Sequence, residues 1–171
     1  TFVAIPIPAG WEEYLAGISR HLAGLVRGVS WIRPGNLHLT VRFLGDLEES
    51  GASRVGDAVA QGAVGAEAPR AELGHLGGFP SLDRPRVLWI GITRGEPELL
   101  DLGRRVNAAI DAAGFDPADK PFRPHLTLGR VREGSRGLDA LSGYAPPPPP
   151  PAALLDRIVV IKVPYNLRLS E

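Results

Sequence analysis

At 171 residues the chain suits one domain, or two small lobes sharing a core, and can bury well over half of the surface it exposes when unfolded. It holds no cysteine, which excludes disulfides, thiolate metal sites and a cysteine nucleophile, and fits a reducing compartment, the cytoplasm by default. Nineteen basic and nineteen acidic side chains cancel, so it lacks the bulk positive field of proteins that coat duplex nucleic acid, and no apolar run approaches the roughly 20 residues of a membrane span.

In chain order, Phe2–Ile7 reads as a short strand closed by Pro6 and Pro8. Trp11, Tyr14, Leu15, Ile18, Leu22 and Leu25 then recur at helical spacing. Trp31–Ile32, a Pro34-Gly35 turn and Leu37–Leu44 form a second extended stretch ending at Gly45-Asp46. A weaker helical pattern runs from Leu47 to Gly62, diluted by glycine. Ala71–Leu76 and Arg86–Ile92 flank a loop of Gly, Pro and Asp and read as an antiparallel pair. Leu99, Leu102, Val106, Ala109, Ile110 and Ala113 mark the clearest helix, with Pro97 near its first turn and Gly114 as its stop. His125–Val131 is a further strand, and Asp156–Val163 and Asn166–Leu169 supply two more. The pattern as a whole is α+β.

Between these last segments lie six consecutive prolines, Pro146–Pro151, which must run as extended polyproline II because each ring fixes φ and removes an amide donor. They form either a rigid surface connection, the preferred reading, or a ligand for a proline-recognition domain. The sequence opens without a signal-peptide pattern, and the absence of methionine suggests that the initiator, with a tag or disordered piece, lies outside it.

Two segments carry the same tripeptide: His38-Leu39-Thr40 and His125-Leu126-Thr127, each in a predicted strand, in a chain with only four histidines. In a strand, side chains two apart share a face, so each histidine lies beside its threonine while Leu39 and Leu126 turn to the packed side. Two imidazoles with ordinary pKa values of about 6.5 can act as base and acid at one pH, and two hydroxyls can donate to the non-bridging oxygens of a phosphodiester. One such tripeptide alone would be read as a structural histidine with a β-branched neighbour, but two ask for a shared role. There is no His-x-His, no His-Glu-x-x-His and no cysteine, so neither a metal site nor a cofactor is expected. His21 and His75 have no threonine two positions on and read as structural. In regular strands Arg42 shares the face of His38, whereas Arg130 projects away from Thr127; either is a phosphate contact only if the backbone permits, and otherwise a solvated charge.

The paired tripeptides closely resemble those of the 2H phosphoesterases, and within them the bacterial and archaeal RNA 2′,3′-cyclic phosphodiesterases, also called 2′-5′ RNA ligases. Phe2-Val3-Ala4-Ile5-Pro6, Trp31 to Gly45, Gly78-Phe79-Pro80 with Pro85-Arg86-Val87-Leu88-Trp89, and Arg123-Pro124-His125-Leu126-Thr127-Leu128 with Arg130 carry the resemblance over most of the chain. It implies a single bilobal α+β domain over residues 1–171, with two antiparallel sheets backed by helices and related by a pseudo-twofold around a central cleft. It implies hydrolysis of RNA 2′,3′-cyclic phosphate ends to 2′-phosphomonoesters, with His38 as proton donor, His125 as proton acceptor, and Thr40, Thr127 and Arg130 binding phosphate. Reverse 2′-5′ ligation follows at the same site by microscopic reversibility. The expected partners are RNA ending in a 2′,3′-cyclic phosphate or related cyclic nucleotides, with no membrane, and the protein is expected to act as a monomer in the cytoplasm. The alternative is an RNA-end or nucleotide-binding module with little turnover. Two departures stand out: the proline run, and a junction at Val163-Pro164-Tyr165-Asn166 tighter than the longer hairpin of relatives.

Overall fold

The computed structural model describes residues 1–163; the junction from Pro164 onward and the strand expected over Asn166–Leu169 lie outside the described residues. Strand β1 (Phe2–Pro6) leads into helix α1 (Ala9–Leu25), where the amides of Trp11 and Glu12 bond to the Pro8 carbonyl and open the first turn. Trp11, Leu15, Ile18 and Leu22 fall on one stripe and are buried, which holds the helix to the sheet. Val26 ends it by turning extended, and β2 (Arg27–Trp31) begins at once.

After a turn at 33–36, β3 (His38–Phe43) carries the first tripeptide. Helix α2 (Glu49–Ala63) precedes the hairpin β4 (Arg70–Phe79) and β5 (Val87–Arg94). Helix α3 (Glu96–Ala112) has Pro97 in its first turn, buries Leu99, Leu102, Val106 and Ile110, and is followed by Gly114 at φ +89°, the left-handed stop that glycine tolerates best. Strand β6 (His125–Arg136) carries the second tripeptide, and β7 (Ala153–Leu154) and β8 (Val159–Ile161) close the described chain.

The strands follow one continuous hydrogen-bonded path, β7-β4-β5-β6-β3-β1-β8, rather than two separate sheets. The halves are joined where β3 meets β6 at a single registered antiparallel pair, Leu39↔Leu126. Just beyond, β3 leaves and β2 takes its place on the same edge of β6, through Val29↔Val131, Ser30↔Arg130 and Trp31↔Gly129. The sequence pattern missed β2 and β7 as strands of their own, and ended β4 and β6 early at Leu76 and Val131. Gly77 and Gly78 read as breakers but lie inside β4, paired to Trp89 and Leu88.

Leu39, Leu126, Leu128, Leu88 and Ile90 are fully buried and join the helix stripes in one core. At about 1.5–3 kcal/mol for each buried side chain, this face anchors the sheet. The proline run lies along α1: the Tyr14 hydroxyl donates to the Pro147 carbonyl at 2.7 Å and the Trp11 indole N–H to the Pro151 carbonyl at 3.3 Å. A polyproline segment has no amides to donate but all its carbonyls to offer, and here it serves as a pinned surface connection.

Candidate active site

Because Leu39 and Leu126 face each other in antiparallel register and both turn into the core, the residues flanking them turn to the opposite face. Counting one residue outward along both strands sets Thr127 opposite His38 and His125 opposite Thr40. All four are half-buried while the leucines between them are fully buried, the alternation the sequence predicts.

Each imidazole is bedded in aromatic rings. His38 stacks on Phe2 with centroids 4.9 Å apart, and Phe2 in turn meets Phe43 at 5.8 Å. His125 meets Phe79 edge-on at 5.0 Å and Trp89 at 6.1 Å. Burial holds both histidines below their ordinary pKa, partly offset by a backbone hydrogen bond two residues upstream, at Asn36 for His38 and at Arg123 for His125. The positive charge of Arg123 lowers His125 further.

For His125 that bond runs from Nδ1 to the Arg123 carbonyl at 2.6 Å. A carbonyl can only accept, so Nδ1 carries the proton, and in the neutral ring the lone pair is left on Nε2. Phe122 sets the approach of this segment. A Cβ on Gly103 of α3 would lie 2.2 Å from the Phe122 ring, so the ring fills a notch that only glycine leaves open.

The two arginines exchange the positions expected of them. Along β1 and β3 the register shifts, with Ala4 facing Thr40 and Val3 facing Arg42, so a one-residue bulge at Val41 turns Arg42 to the face away from His38. It is neither a solvated charge nor close to the tripeptides' face. Its residue is 3% exposed, and Nη1 donates to the Asp111 carboxylate at 2.6 Å and to the Asn107 carbonyl and side-chain oxygens at 3.2 and 3.3 Å, while Nη2 donates to the Asp116 carbonyl. Conversely, β5 faces β6 through Trp89↔Thr127, Leu88↔Gly129 and Val87↔Arg130, which leaves Leu128 as an extra residue. Trp89 and Val87 share a face, so their partners Thr127 and Arg130 share it too. A regular strand would have turned Arg130 away, and the bulge brings it back.

A cleft of about 540 Å³ opens beside His125, lined among others by His75, Phe79, Trp89, Phe122 and Arg123; His38 is not part of its lining. His75, expected to be structural, is exposed on this wall, 6.2 Å from Trp89. His21, on α1, stacks on Tyr144 with ring centroids 5.4 Å apart. The aromatic bed escaped the sequence reading because its rings come from β1, β4 and β5; the signal was present in Gly77 and Gly91, whose places in strands need a close neighbour to explain them. Among the described residues no group of three His, Asp or Glu side chains is placed to hold a metal ion, and no helix is long and apolar enough to cross a membrane.

Comparison with known proteins bears on the family of the chain and on its fold. An RNA 2′,3′-cyclic phosphodiesterase of Aeropyrum pernix is 41% identical over 106 residues, 62% of this chain and 58% of that protein. One of Archaeoglobus fulgidus is 35% identical over 77% of this chain and 72% of its own length. The matched stretch thus spans between about half and three quarters of these relatives. The solved structure of TT0787 of Thermus thermophilus matches with a TM-score of 0.63 at 28% identity, over 92% of this chain and 81% of that one. That of E. coli LigT complexed with 3′-AMP matches with a TM-score of 0.62 at 23% identity, over 87% and 77%, a likeness of fold. The sequence profile of the 2′-5′ RNA ligase superfamily matches residues 13–164, nearly the whole of the chain, which therefore belongs to that superfamily.

Proposed function

We propose that this protein opens the 2′,3′-cyclic phosphate at the end of an RNA, leaving a 2′-phosphomonoester. The observation that carries the reading is the Leu39↔Leu126 pair: antiparallel pairing through the middle of two identical tripeptides relates His38 to His125, and Thr40 to Thr127, by a local twofold on one face. Such a pair can grip one phosphorus centre from two sides. The names of the relatives supply the substrate class.

In this mechanism His125 takes a proton from the attacking water through Nε2, the atom left free by the bond from Nδ1 to the Arg123 carbonyl. His38 protonates the departing 3′ oxygen. Both rings favour the neutral form in the free protein, so the phosphate anion also acts on the acid, and its negative charge raises the affinity of His38 for the proton it will donate. The hydroxyls of Thr40 and Thr127 donate to the non-bridging oxygens, and Arg130, on the same face as Thr127 by virtue of the bulge, adds a positive charge. No metal enters the scheme. The same groups in the same roles, with a 5′ hydroxyl in place of water, would join it to the cyclic end through a 2′-5′ bond.

The test is to incubate the protein with RNA ending in a 2′,3′-cyclic phosphate, in chelator, and identify the product. A 2′-phosphate is expected, and His38→Ala and His125→Ala should each cost about two to four orders of magnitude in rate. Binding of the RNA end without turnover would support the nucleotide-binding alternative, and undiminished rates in both variants would refute the acid and base assignments.

A further inference from the structure

The charges of the chain cancel as a whole, but they are not spread evenly over the sheet. The paired stretches of β2 and β6 carry Arg27, Arg130, Arg132 and Arg136 against a single acid, Glu133, and all five residues are exposed. Arg42, Arg94, Arg104 and Arg157 each meet a carboxylate, whereas none of these four arginines does so among the described residues.

Strand pairing sets where they point. Val29 is buried and Trp31 packs against the core, so Ser30 between them turns to the other face. Ser30 lies opposite Arg130, which shares the face of Thr127, and Arg132 Nε donates to the Ser30 hydroxyl at 2.9 Å. Arg132 therefore continues, on the face of the histidines, the line that Thr127 and Arg130 begin.

Beyond it the register slips. Val29 faces Val131 but Arg27 faces Arg136, so residues 132–135 bulge out opposite Gly28. The Ser135 hydroxyl lies against the Arg132 and Gly28 carbonyls, at 2.5 and 3.0 Å, and a Cβ on Gly28 would come within 2.7 Å of it. The bulge is thus pinned, and it delivers Arg27 and Arg136 into direct cross-strand opposition. Like charges so placed are destabilising, and a bound anion removes that cost. Along β2, Arg27 is four residues from Trp31, which faces Gly129. The strip is therefore about 13 Å long, a span that takes in two internucleotide phosphates of a single strand.

We propose that this strip is the path of the RNA upstream of the cyclic end, with Arg132 and the Arg27–Arg136 pair holding the phosphates 5′ of the terminal nucleotide. This deepens the function proposed above and rests on it. The contacts are to backbone phosphate, so they lengthen the footprint without reading the bases.

The test compares adenosine 2′,3′-cyclic phosphate with the adenosine trinucleotide that ends in the same ring and adds two internucleotide phosphates. At low salt the wild-type protein should favour the trinucleotide in kcat/KM by about tenfold, the return expected of three exposed ion pairs. The advantage should fall as salt rises, with a log–log slope of about −0.7 for each phosphate neutralised. A trinucleotide with uncharged methylphosphonate linkages should drop to the level of the mononucleotide. Arg132→Gln, and the double variant Arg27→Gln/Arg136→Gln, should each at least halve the advantage and flatten the salt slope while leaving mononucleotide turnover unchanged. The double variant relieves an opposition of like charges and so does not threaten the fold. Equal kcat/KM for mononucleotide and trinucleotide, or an advantage that the methylphosphonates keep, would overturn the strip and leave the hydrolase reading standing. Variants that keep the full advantage, or that lose both substrates in proportion, would overturn it too. Wild-type protein that hydrolyses neither substrate would defeat the hydrolase reading, and this proposal with it.

Discussion

Arg42 offers the sharpest test of how β3 is built, because two readings of it predict opposite phenotypes. If the bulge at Val41 sets its direction, its guanidinium is a buried clamp between β3 and α3, and its loss should be felt in stability. Its side chain is 1% exposed and that of its partner Asp111 is 47% exposed, with 2.6 Å between Nη1 and the carboxylate. Breaking a fully buried pair costs about 3–5 kcal/mol; with one partner half in water, and with the Asn107 and Asp116 oxygens still available to the guanidinium, Asp111→Ala should cost about 2–3 kcal/mol. Arg42→Met removes the charge itself and keeps most of the packing, so it should cost about 1–3 kcal/mol, and the double variant should cost less than the sum by about 1–2 kcal/mol. Urea denaturation of the four proteins closes this cycle. Additive single costs would refute the clamp. So would Arg42→Met protein of unchanged midpoint whose KM for a cyclic nucleotide rises tenfold or more, the behaviour of a phosphate ligand.

Three further outcomes follow from the site. Both histidines are held below the ordinary pKa of about 6.5, so a protonated His38 and a neutral His125 coexist most abundantly in the free protein on the acid side of that value; the bell of kcat/KM against pH should peak below about 6.5, and that of kcat, with phosphate bound, should peak higher. The unfolded chain binds more protons at these rings than the folded one as pH falls through 6.5, so the same depression lowers stability toward acid, and His125→Ala should flatten the acid limb of a midpoint-against-pH curve; an unchanged limb would contradict the burial of that ring. Gly103→Ala should gain about 0.5–1 kcal/mol in helix propensity yet lose more from the displaced Phe122 ring, and the shift passed on to Arg123 and His125 should lower kcat/KM by about tenfold to a hundredfold. Wild-type turnover in that variant would separate the notch from the positioning of His125.

The site was legible in the sequence to the extent that it depends on period-two alternation. His38 and Thr40 alternate with Leu39, His125 and Thr127 with Leu126, and the structure keeps both phases. The same rule failed for Arg42 and Arg130, and for one reason: each lies just past a single-residue bulge, and one extra residue reverses every later side chain of a strand. A bulge is a property of the pairing between strands and has no signature in either strand alone.

The remaining differences have a similar origin. Gly77 and Gly78 are punctuation to a local reading, but become strand interior once the Trp89 ring needs the space that a Cβ at Gly77 would fill. A single chain of eight paired strands replaced two sheets because Leu39 and Leu126, far apart in the polypeptide, found each other in register. What the amino-acid sequence by itself determined was local: the helical stripes, the glycine and proline stops, the extended proline run and the identity of two chemically matched tripeptides. Which strands pair, where the pairing slips by a residue, and hence which charged and aromatic side chains share a face with the histidines, only the tertiary structure decided, because those choices are made by packing between segments distant in sequence.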